Sequence, residues 1–225
     1  MTIFKKWRGR RGGRARWLNT AVALVVAALA CPQARAADPL AGPEARTQIY
    51  GIAGQGQKFV YVFDRSASMG EGPGSALRGA KTELLGSLND LGPTHQFQII
   101  FYNERPTIFP LAGVQGRLVF GSRNNKHSAE EFVDGITAEG GTDHLAALEV
   151  ALRLDADVIY FLTDADEPGL TAGELERITK RNQAAVINCI EFGVGPKRPG
   201  ENFLQRLAAA NRGQYVYVDT NKNAK

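Results

Sequence analysis

The sequence predicts an α/β domain built on a mainly parallel sheet, with helices on both faces and one antiparallel edge strand. Short apolar runs rich in β-branched and aromatic residues occur at 59–63, 158–162 and 185–192, as is typical of strands buried on both faces. These runs alternate about five times with segments whose apolar residues recur at helical spacing, such as 75–91. Because parallel strands joined by right-handed crossovers produce such alternation, it predicts this fold class.

Turn and capping signals place the other elements. Prolines on both sides restrict 107–109 to an edge strand that pairs antiparallel. Ser128 followed by Glu131 has the pattern of a capping box, so we expect a helix to begin there, after a loop-rich stretch at 113–126. In chain order we expect strands at 48–52, 59–63, 97–102, 107–109, 158–162, 185–192 and 214–218, and helices at 75–91, 128–136, 143–154, 172–182 and 201–211.

Residues 1–36 have the layout of a secretory signal peptide. They contain eight of the 27 basic residues and no acidic residue, a short apolar stretch at 21–30, and the cleavage pattern Ala34-Arg35-Ala36. Since a membrane span needs about 20 apolar residues, a retained anchor is the weaker alternative. We therefore expect an exported single-domain protein of bacterial type, located in the periplasm, in the cell envelope or outside the cell.

Two short motifs suggest other kinds of leader. Arg10-Arg11 is compatible with twin-arginine export, but Gly12-Gly13 stand where a hydrophobic pair is expected. Cys31 is compatible with a lipoprotein, but Leu29 lies two residues before it and not three. We expect membrane attachment only if the leader is retained or Cys31 is lipidated. After cleavage Cys189 is the remaining cysteine, so no internal disulfide can form and a buried thiol is expected.

The charge of the chain changes at the end of the leader. The formal net charge is +4, yet the residues after 36 carry 19 basic and 23 acidic side chains. Because no basic patch interleaved with aromatic residues follows, we expect no nucleic-acid partner. The composition of 37–46 predicts a linker, which leaves 47–220 as the folded domain and 221–225 as a tail.

Three polar segments fall at one edge of the predicted sheet. Asp64-Arg65-Ser66-Ala67-Ser68 follows the first buried strand, Gly140-Gly141-Thr142 precedes a helix, and Thr163-Asp164 follows the strand at 158–162. In sheets of this class, ligands bind outside the carboxyl ends of the strands. Each segment alone is compatible with a turn or a helix cap. Their combination at one edge predicts a single site with two carboxylates and three hydroxyls.

Hard oxygen ligands in this number favour Mg²⁺, which takes six oxygens and usually keeps several waters, and Mn²⁺ has similar preferences. Ser66 and Ser68 are two residues apart in a loop, so both hydroxyls can face one point, and Asp64 can hold them from behind while binding through water. We expect at least one coordination position to stay open for water or for an incoming carboxylate. The candidate metal-site residues are Asp64, Ser66, Ser68, Thr142 and Asp164.

The Asp64-Arg65-Ser66-Ala67-Ser68-Met69 segment resembles the metal-ion-dependent adhesion site (MIDAS) of von Willebrand factor type A domains, and the other two segments are similar to the rest of that site. The resemblance runs from about residue 48 to residue 219. It implies a Rossmann-like, doubly wound fold. It also implies that Ser66 and Ser68 bind the metal directly, Thr142 directly or through water, and Asp64 and Asp164 mostly through water.

Two features lie beside this motif. The family commonly has Gly after the acid of the third segment, where this chain has Ala165-Asp166. Asp166 and Glu167 either add negative charge near the metal or face solvent. His144 follows Thr142 by two residues, and we expect it to be a surface or partly buried helix residue and not a metal ligand.

The function that these residues predict is a binding module and not an enzyme. It is an exported domain that captures a protein partner through Mg²⁺ and an Asp or Glu carboxylate of that partner. One alternative is a phosphatase of the haloacid dehalogenase type with Asp64 as nucleophile, but that class needs a second Asp where this chain has Ser66. The other alternative is a structural type A domain whose site no longer binds metal.

Overall fold

Strands of a mainly parallel sheet alternate with helices in the computed structural model, which describes residues 43–70, 75–111, 116–165 and 168–222. The predicted signal peptide, residues 37–42 of the predicted linker, Asp166, Glu167 and residues 223–225 lie outside the described residues. The described residues all belong to one compact unit, Asp38–Lys225. Among them, no helix is both long enough and apolar enough to cross a bilayer.

The order of elements follows the predicted alternation closely. The strands are β1 (Ala45–Ile49), β2 (Ile52–Gly56), β3 (Lys58–Asp64), β4 (Gln96–Tyr102), β5 (Pro106–Ile108), β6 (Val119–Phe120), β7 (Val158–Thr163), β8 (Val186–Gly193) and β9 (Tyr215–Asp219). The helices are α1 (Ala76–Asp90), α2 (Arg123–Asp134), α3 (His144–Ala151), α4 (Ala172–Arg181) and α5 (Phe203–Ala210). β1 begins two residues before the predicted start of the domain.

The strand order creates a switch point in the middle of the sheet. In the described part of the chain the order is β5-β4-β3-β7-β8-β9, and β6 also pairs with β4. β3, β4, β7, β8 and β9 are parallel, whereas β5 and β6 pair antiparallel with β4. The chain runs from β3 to β4 on one side and then returns to β7 on the other side of β3. In doubly wound sheets, this is where ligands bind.

Two apolar clusters cover the two faces of the sheet. Phe59, Tyr61 and Phe63 of β3 pack with residues of α1 and α2 on one face. Val60 and Val62 pack with α3, α4 and α5 on the other. Because successive side chains of a strand point to opposite faces, a strand between two helical layers must be apolar at every position. The predicted fold class, an α/β sheet with helices on both faces and an antiparallel edge, is confirmed.

The prediction of one strand at 48–52 was wrong, because a hairpin turn lies inside that range. β1 and β2 pair antiparallel, with Ile49 opposite Ile52. Tyr50 and Gly51 form the turn, with φ angles of 47° and 79°. Positive φ at both turn residues suits the twist of a two-residue hairpin. The backbone N–H of Tyr50 also donates to Glu83 of α1 over 2.7 Å, a tertiary contact that the local sequence does not reveal.

The predicted start of the second helix was also wrong. α2 begins at Arg123, and the hydroxyl of Ser122 accepts a hydrogen bond from the backbone N–H of Asn125 over 3.3 Å. Ser128 lies inside the helix and does not cap it. The first turns of α2 are polar, so the apolar periodicity starts only at Ala129, which is buried with Val133. The β6 strand, within the stretch predicted as loop, is likewise held by its pairing with β4.

Candidate metal centre

The first segment places two serine hydroxyls side by side. Ser66 Oγ and Ser68 Oγ are 3.2 Å apart. A short 3₁₀ helix, Ala67–Gly70, follows the end of β3, and its buried residue Met69 anchors the turn in the core. Ser66 is buried and Ser68 is partly exposed. The two oxygens can therefore be shared by one small ion at the carboxyl edge.

Asp64 lies behind these hydroxyls and is fully buried. Its Oδ1 accepts a hydrogen bond from the backbone N–H of Ser66 over 2.7 Å, and its Oδ2 accepts one from the hydroxyl of Thr163 over 2.6 Å. Burial raises the pKa of Asp64 to about 6; the hydrogen bonds oppose the rise and the nearby charge of Asp164 adds to it. Within the described residues, no Lys, Arg or His forms an ion pair with Asp64. A bound divalent cation would supply the missing positive charge.

The second segment is joined to the first by backbone hydrogen bonds. The N–H of Ala67 donates to Gly140 O over 3.0 Å, and the N–H of Glu139 donates to Arg65 O over 2.8 Å. Gly140 has a φ of 74°, and a Cβ there would lie 2.9 Å from Asn103 Nδ2. Glycine suits this position, because it takes a positive φ without strain and leaves room for the side chain of Asn103.

Thr142 is not the cap of the helix that follows it. The carboxylate of Asp143 caps α3 by accepting a hydrogen bond from the backbone N–H of Ala146 over 3.0 Å. α3 is therefore shorter at both ends than the predicted 143–154. Thr142 is partly exposed and follows Gly140, whose carbonyl is bonded to Ala67 N. Since Asp143 caps α3, the hydroxyl of Thr142 is not committed to helix capping.

The third segment follows β7 on the other side of β3. Asp164 is partly exposed, and it is close enough to Asp64 to raise the pKa of that carboxyl. Ala165 adopts a φ of 56°, in the left-handed region that glycine populates readily and other residues avoid. Glycine would adopt this conformation with less strain than alanine.

His144 is a residue of α3, as expected, but the expectation that it lies at the surface or is only partly buried was wrong. It is 2% exposed, its Nδ1 is 2.9 Å from the hydroxyl of Tyr102, and its ring packs against Phe161 and Phe203. The imidazole faces the core on the α3 side of the sheet. Cys189 is fully buried as expected, and burial holds the pKa of its thiol well above the usual range.

The structure also places four residues at the site that the sequence did not single out as site residues. Thr163 bonds to Asp64, and the side chain of Arg65 donates to Glu139. Asn103 and Glu104, which follow β4 at the same edge, bond to the second segment. The signal for Asn103 and Glu104 was present, since polar residues directly after a buried strand at the carboxyl edge are candidates for a site.

The ligand chemistry of the site fits a hard cation. Within the described residues, no group of three His, Cys, Asp or Glu side chains forms a metal cluster. The arrangement instead offers hydroxyls backed by carboxylates, which are hard oxygen ligands of the kind that Mg²⁺ and Mn²⁺ take. The residues present therefore fit a divalent ion that keeps some of its waters.

Solved structures of von Willebrand factor type A domains are similar to this chain. A von Willebrand factor type A protein from Catenulispora acidiphila superposes with a TM-score of 0.63 at 22% identity, covering 77% of this chain and 41% of that chain. Proximal thread matrix protein 1 from the mussel byssus, in a structure with a zinc-occupied MIDAS motif, gives a TM-score of 0.53 at 23% identity, covering 73% of this chain and 42% of that chain. The chain therefore has the von Willebrand factor type A fold.

Curated relatives are similar over part of their length. Inter-alpha-trypsin inhibitor heavy chain H4 of Bos taurus is 29% identical over 184 residues, which cover 72% of this chain and 18% of the relative. The uncharacterized protein YfbK of Escherichia coli is 28% identical over 121 residues, covering 48% of this chain and 21% of YfbK. The chain thus spans about a fifth of the length of these relatives. No protein-family model matches the chain.

Proposed function

We propose that this protein is an exported, Mg²⁺-dependent binding module that captures a protein partner through an Asp or Glu carboxylate. The observation that carries the proposal is the pair of serine hydroxyls, Ser66 Oγ and Ser68 Oγ, 3.2 Å apart in front of the buried carboxylate of Asp64. The pair lies at the switch point of the sheet, where ligands bind in folds of this class.

Within this proposal each residue has a separate task. Ser66 and Ser68 hold the ion directly, and Thr142 holds it directly or through water. Asp64 and Asp164 order its waters by accepting hydrogen bonds. Mg²⁺ supplies positive charge and a coordination position for an oxygen of the partner. Mn²⁺ can replace it because it has the same ligand preferences.

A partner carboxylate suits the remaining position for electrostatic reasons. The protein ligands of the proposed shell are two or three neutral hydroxyls, so the ion keeps much of its charge towards solvent. An Asp or Glu side chain replaces a water there and adds a charge-assisted contact, which favours acidic partners over neutral ones. The zinc-occupied MIDAS motif in the byssus protein supports metal binding by a fold of this kind.

The burial of Asp64 favours a binding module over a phosphatase. A nucleophilic carboxylate must contact its substrate directly. Asp64 is fully buried, and each of its oxygens accepts a hydrogen bond, from Ser66 N–H and from Thr163. The general acid of a phosphatase would stand at position 66, which is a serine. A metal titration distinguishes our proposal from the third possibility, a structural domain that binds no metal.

The first experiment is a metal titration of the mature protein. Mg²⁺ or Mn²⁺ should raise the melting temperature modestly, since a ligand that binds only the native state stabilises it by mass action. A chelator should leave the domain folded, because the sheet core does not depend on the ion as a zinc finger does. A melting curve indifferent to millimolar Mg²⁺ and Mn²⁺ contradicts the proposal.

The second experiment tests capture. Immobilised mature protein is incubated with exported proteins in Mg²⁺ and in chelator, with Ser68→Ala in Mg²⁺ as the matched control. We expect a partner that is retained by the wild type in Mg²⁺ and released in the other two conditions. Equal retention in all three contradicts metal-dependent capture. Export itself is proposed from the leader, and N-terminal sequencing of exported material tests that step.

A further inference from the structure

The loop that carries Thr142 is held from two sides by side chains outside the five proposed metal-site residues. We propose that Arg65 and Glu104 are positioning residues that fix this loop against the two serines, and that they thereby make the site select Mg²⁺ over the larger Ca²⁺. The inference rests on the proposed function, since it concerns the same ion. It goes further by assigning selectivity to two residues that do not contact the ion.

Arg65 holds the loop from the side of β3. Its Nη1 donates to Glu139 Oε1 over 2.8 Å and to Thr137 O over 3.3 Å. The Arg65 side chain is 13% exposed, whereas that of Glu139 is 64% exposed, so the guanidinium is the buried partner. Its backbone also bonds at both ends, since Arg65 N donates to Tyr102 O and Arg65 O accepts from Glu139 N, each over 2.8 Å. Arg65 therefore connects the serine segment to residues 137–139.

Glu104 holds the loop from the side of β4. Its Oε1 accepts a hydrogen bond from the backbone N–H of Gly141 over 3.0 Å. The contact is close, because a Cβ at Gly141 would lie 3.2 Å from that same oxygen. Asn103, the residue before it, donates through Nδ2 to Glu139 O over 3.0 Å and accepts at its backbone O from Asp143 N–H over 2.8 Å. The loop is thus bonded on both flanks of Thr142.

These bonds restrain the backbone on both sides of Thr142 and tie the loop to the segment that carries Ser66 and Ser68. Mg²⁺ demands near-octahedral geometry with oxygens at about 2.0–2.1 Å, whereas Ca²⁺ accepts irregular shells at about 2.3–2.6 Å. A loop that cannot move outward holds its oxygens at one spacing, which suits the smaller ion. If one side of the loop is released, its oxygens can move outward to the longer distances that Ca²⁺ takes. They then no longer hold the near-octahedral arrangement that Mg²⁺ needs.

The variants are chosen so that the fold survives. Within the described residues Arg65 Nε is buried without a hydrogen-bond partner, so Arg65→Met removes an unsatisfied donor while it keeps most of the volume. Glu104 is exposed, so Glu104→Ala leaves no cavity. Glu104→Gln keeps an oxygen that can accept from Gly141 N–H and serves as the conservative variant. Lys180→Met, which breaks the exposed pair with Glu176 on α4, is the matched control.

Calorimetry of the full mature protein with Mg²⁺ and with Ca²⁺ gives the decisive quantity, the ratio of the two affinities. For Arg65→Met and Glu104→Ala we expect Mg²⁺ affinity to fall about tenfold, the lower end of losses for residues that orient metal ligands, and Ca²⁺ affinity to change less than about threefold. Glu104→Gln and Lys180→Met should keep the wild-type ratio. Metal-free melting temperatures of all variants show whether the fold is intact.

The outcomes separate the two proposals. If the wild type binds neither ion, the proposed function fails. If the wild type binds Mg²⁺ and both variants keep its Mg²⁺ to Ca²⁺ ratio, the positioning role alone is overturned. An equal loss of affinity for both ions also overturns selectivity, because it indicates a general weakening of the site. If Glu104→Gln lowers the ratio of Mg²⁺ affinity to Ca²⁺ affinity, Glu104 acts through its charge and not through its bond to Gly141.

Discussion

The hydroxyl of Thr163 donates a 2.6 Å hydrogen bond to Oδ2 of Asp64, joining the ends of β3 and β7 across the switch point of the sheet. The same hydroxyl oxygen accepts the backbone N–H of Ala165 over 3.2 Å. One side chain therefore fixes both the buried carboxylate and the turn that carries Asp164. The relative position of the two acids of the proposed site depends on Thr163.

Thr163→Val should weaken Mg²⁺ binding by about 10–100-fold, because residues that orient metal ligands contribute in that range. It should also lower the metal-free stability by about 1–3 kcal/mol at neutral pH, since a buried carboxylate oxygen loses its donor. Calorimetry and urea denaturation measure the two effects. Thr82→Val, at an exposed position of α1, is the control. Unchanged Mg²⁺ affinity would mean that Thr163 does not orient the site.

Ser68→Ala and Asp164→Ala should each abolish metal-dependent partner binding without loss of the fold. Ser68→Ala removes a direct ligand of the ion, and Asp164→Ala removes a carboxylate that orders the waters of the ion. Metal-free stability should change little or rise in Asp164→Ala, because the charge of Asp164 raises the pKa of Asp64 and its removal relieves repulsion. Partner capture and thermal melting test both points.

Asp166→Ala distinguishes Asp164 from the neighbouring acid, which lies outside the described residues. It should bind like the wild type. If Asp166→Ala loses binding and Asp164→Ala keeps it, the acid of the third segment has been misassigned by two positions. If Ser68→Ala and Asp164→Ala both keep full metal-dependent binding, the adhesion-site interpretation is wrong.

The metal response should depend on pH through Asp64. Burial raises the pKa of this carboxyl to about 6, above its value of about 4 in an unfolded chain. Its contribution to metal-free stability is therefore complete below about pH 4 and is lost as the pH rises through about 6. Metal binding needs the ionised form, so the rise in melting temperature with Mg²⁺ should be larger near pH 7.5 than near pH 5.

Asp64→Asn is the control for that titration. It lacks the ionisable carboxyl, so its metal-free stability should show no change centred near pH 6. Thermal melting at a series of pH values, with and without Mg²⁺, measures both curves. A wild-type Mg²⁺ effect that is equally large near pH 5 would indicate that protons and the ion do not compete at Asp64.

Ala165→Gly should stabilise the domain by about 0.5–1 kcal/mol. Ala165 has a φ of 56°, and this conformation costs an L-residue about 1–2 kcal/mol of folding stability. Glycine avoids that cost, but its larger entropy in the unfolded chain offsets part of the gain. Urea denaturation measures the change. Ala209→Gly on the exposed side of α5 should destabilise by about 1 kcal/mol. A loss of stability in Ala165→Gly would mean that the turn carries no strain.

The exported protein should begin after Ala36. The basic run, the short apolar stretch and Ala34-Arg35-Ala36 predict cleavage at this point. N-terminal sequencing of exported material measures it. A start at Met1 would favour a retained anchor, and a lipid on Cys31 would favour a lipoprotein.

Local pattern was sufficient where burial itself dictated the residues. β3 and β7 lie between two helical layers, so their sequences are continuous apolar runs that could be recognised without tertiary information. Local pattern failed where a contact with another part of the chain determined the structure. Glu83 holds the β1–β2 turn, and the polar cap at Ser122 holds the start of α2. Neither contact produces an apolar periodicity in the sequence.

For the site, the sequence by itself determined which residues reach the carboxyl edge, because strand ends and the order of parallel strands follow from the alternation of elements. It identified Asp64, Ser66, Ser68, Thr142 and Asp164 as candidates. Only the tertiary structure decided how they are held. The bonds of Thr163, Arg65 and Glu104 cross 99, 74 and 37 residues of chain. The packing of loops determines these partners, and no local periodicity of the sequence reveals that packing.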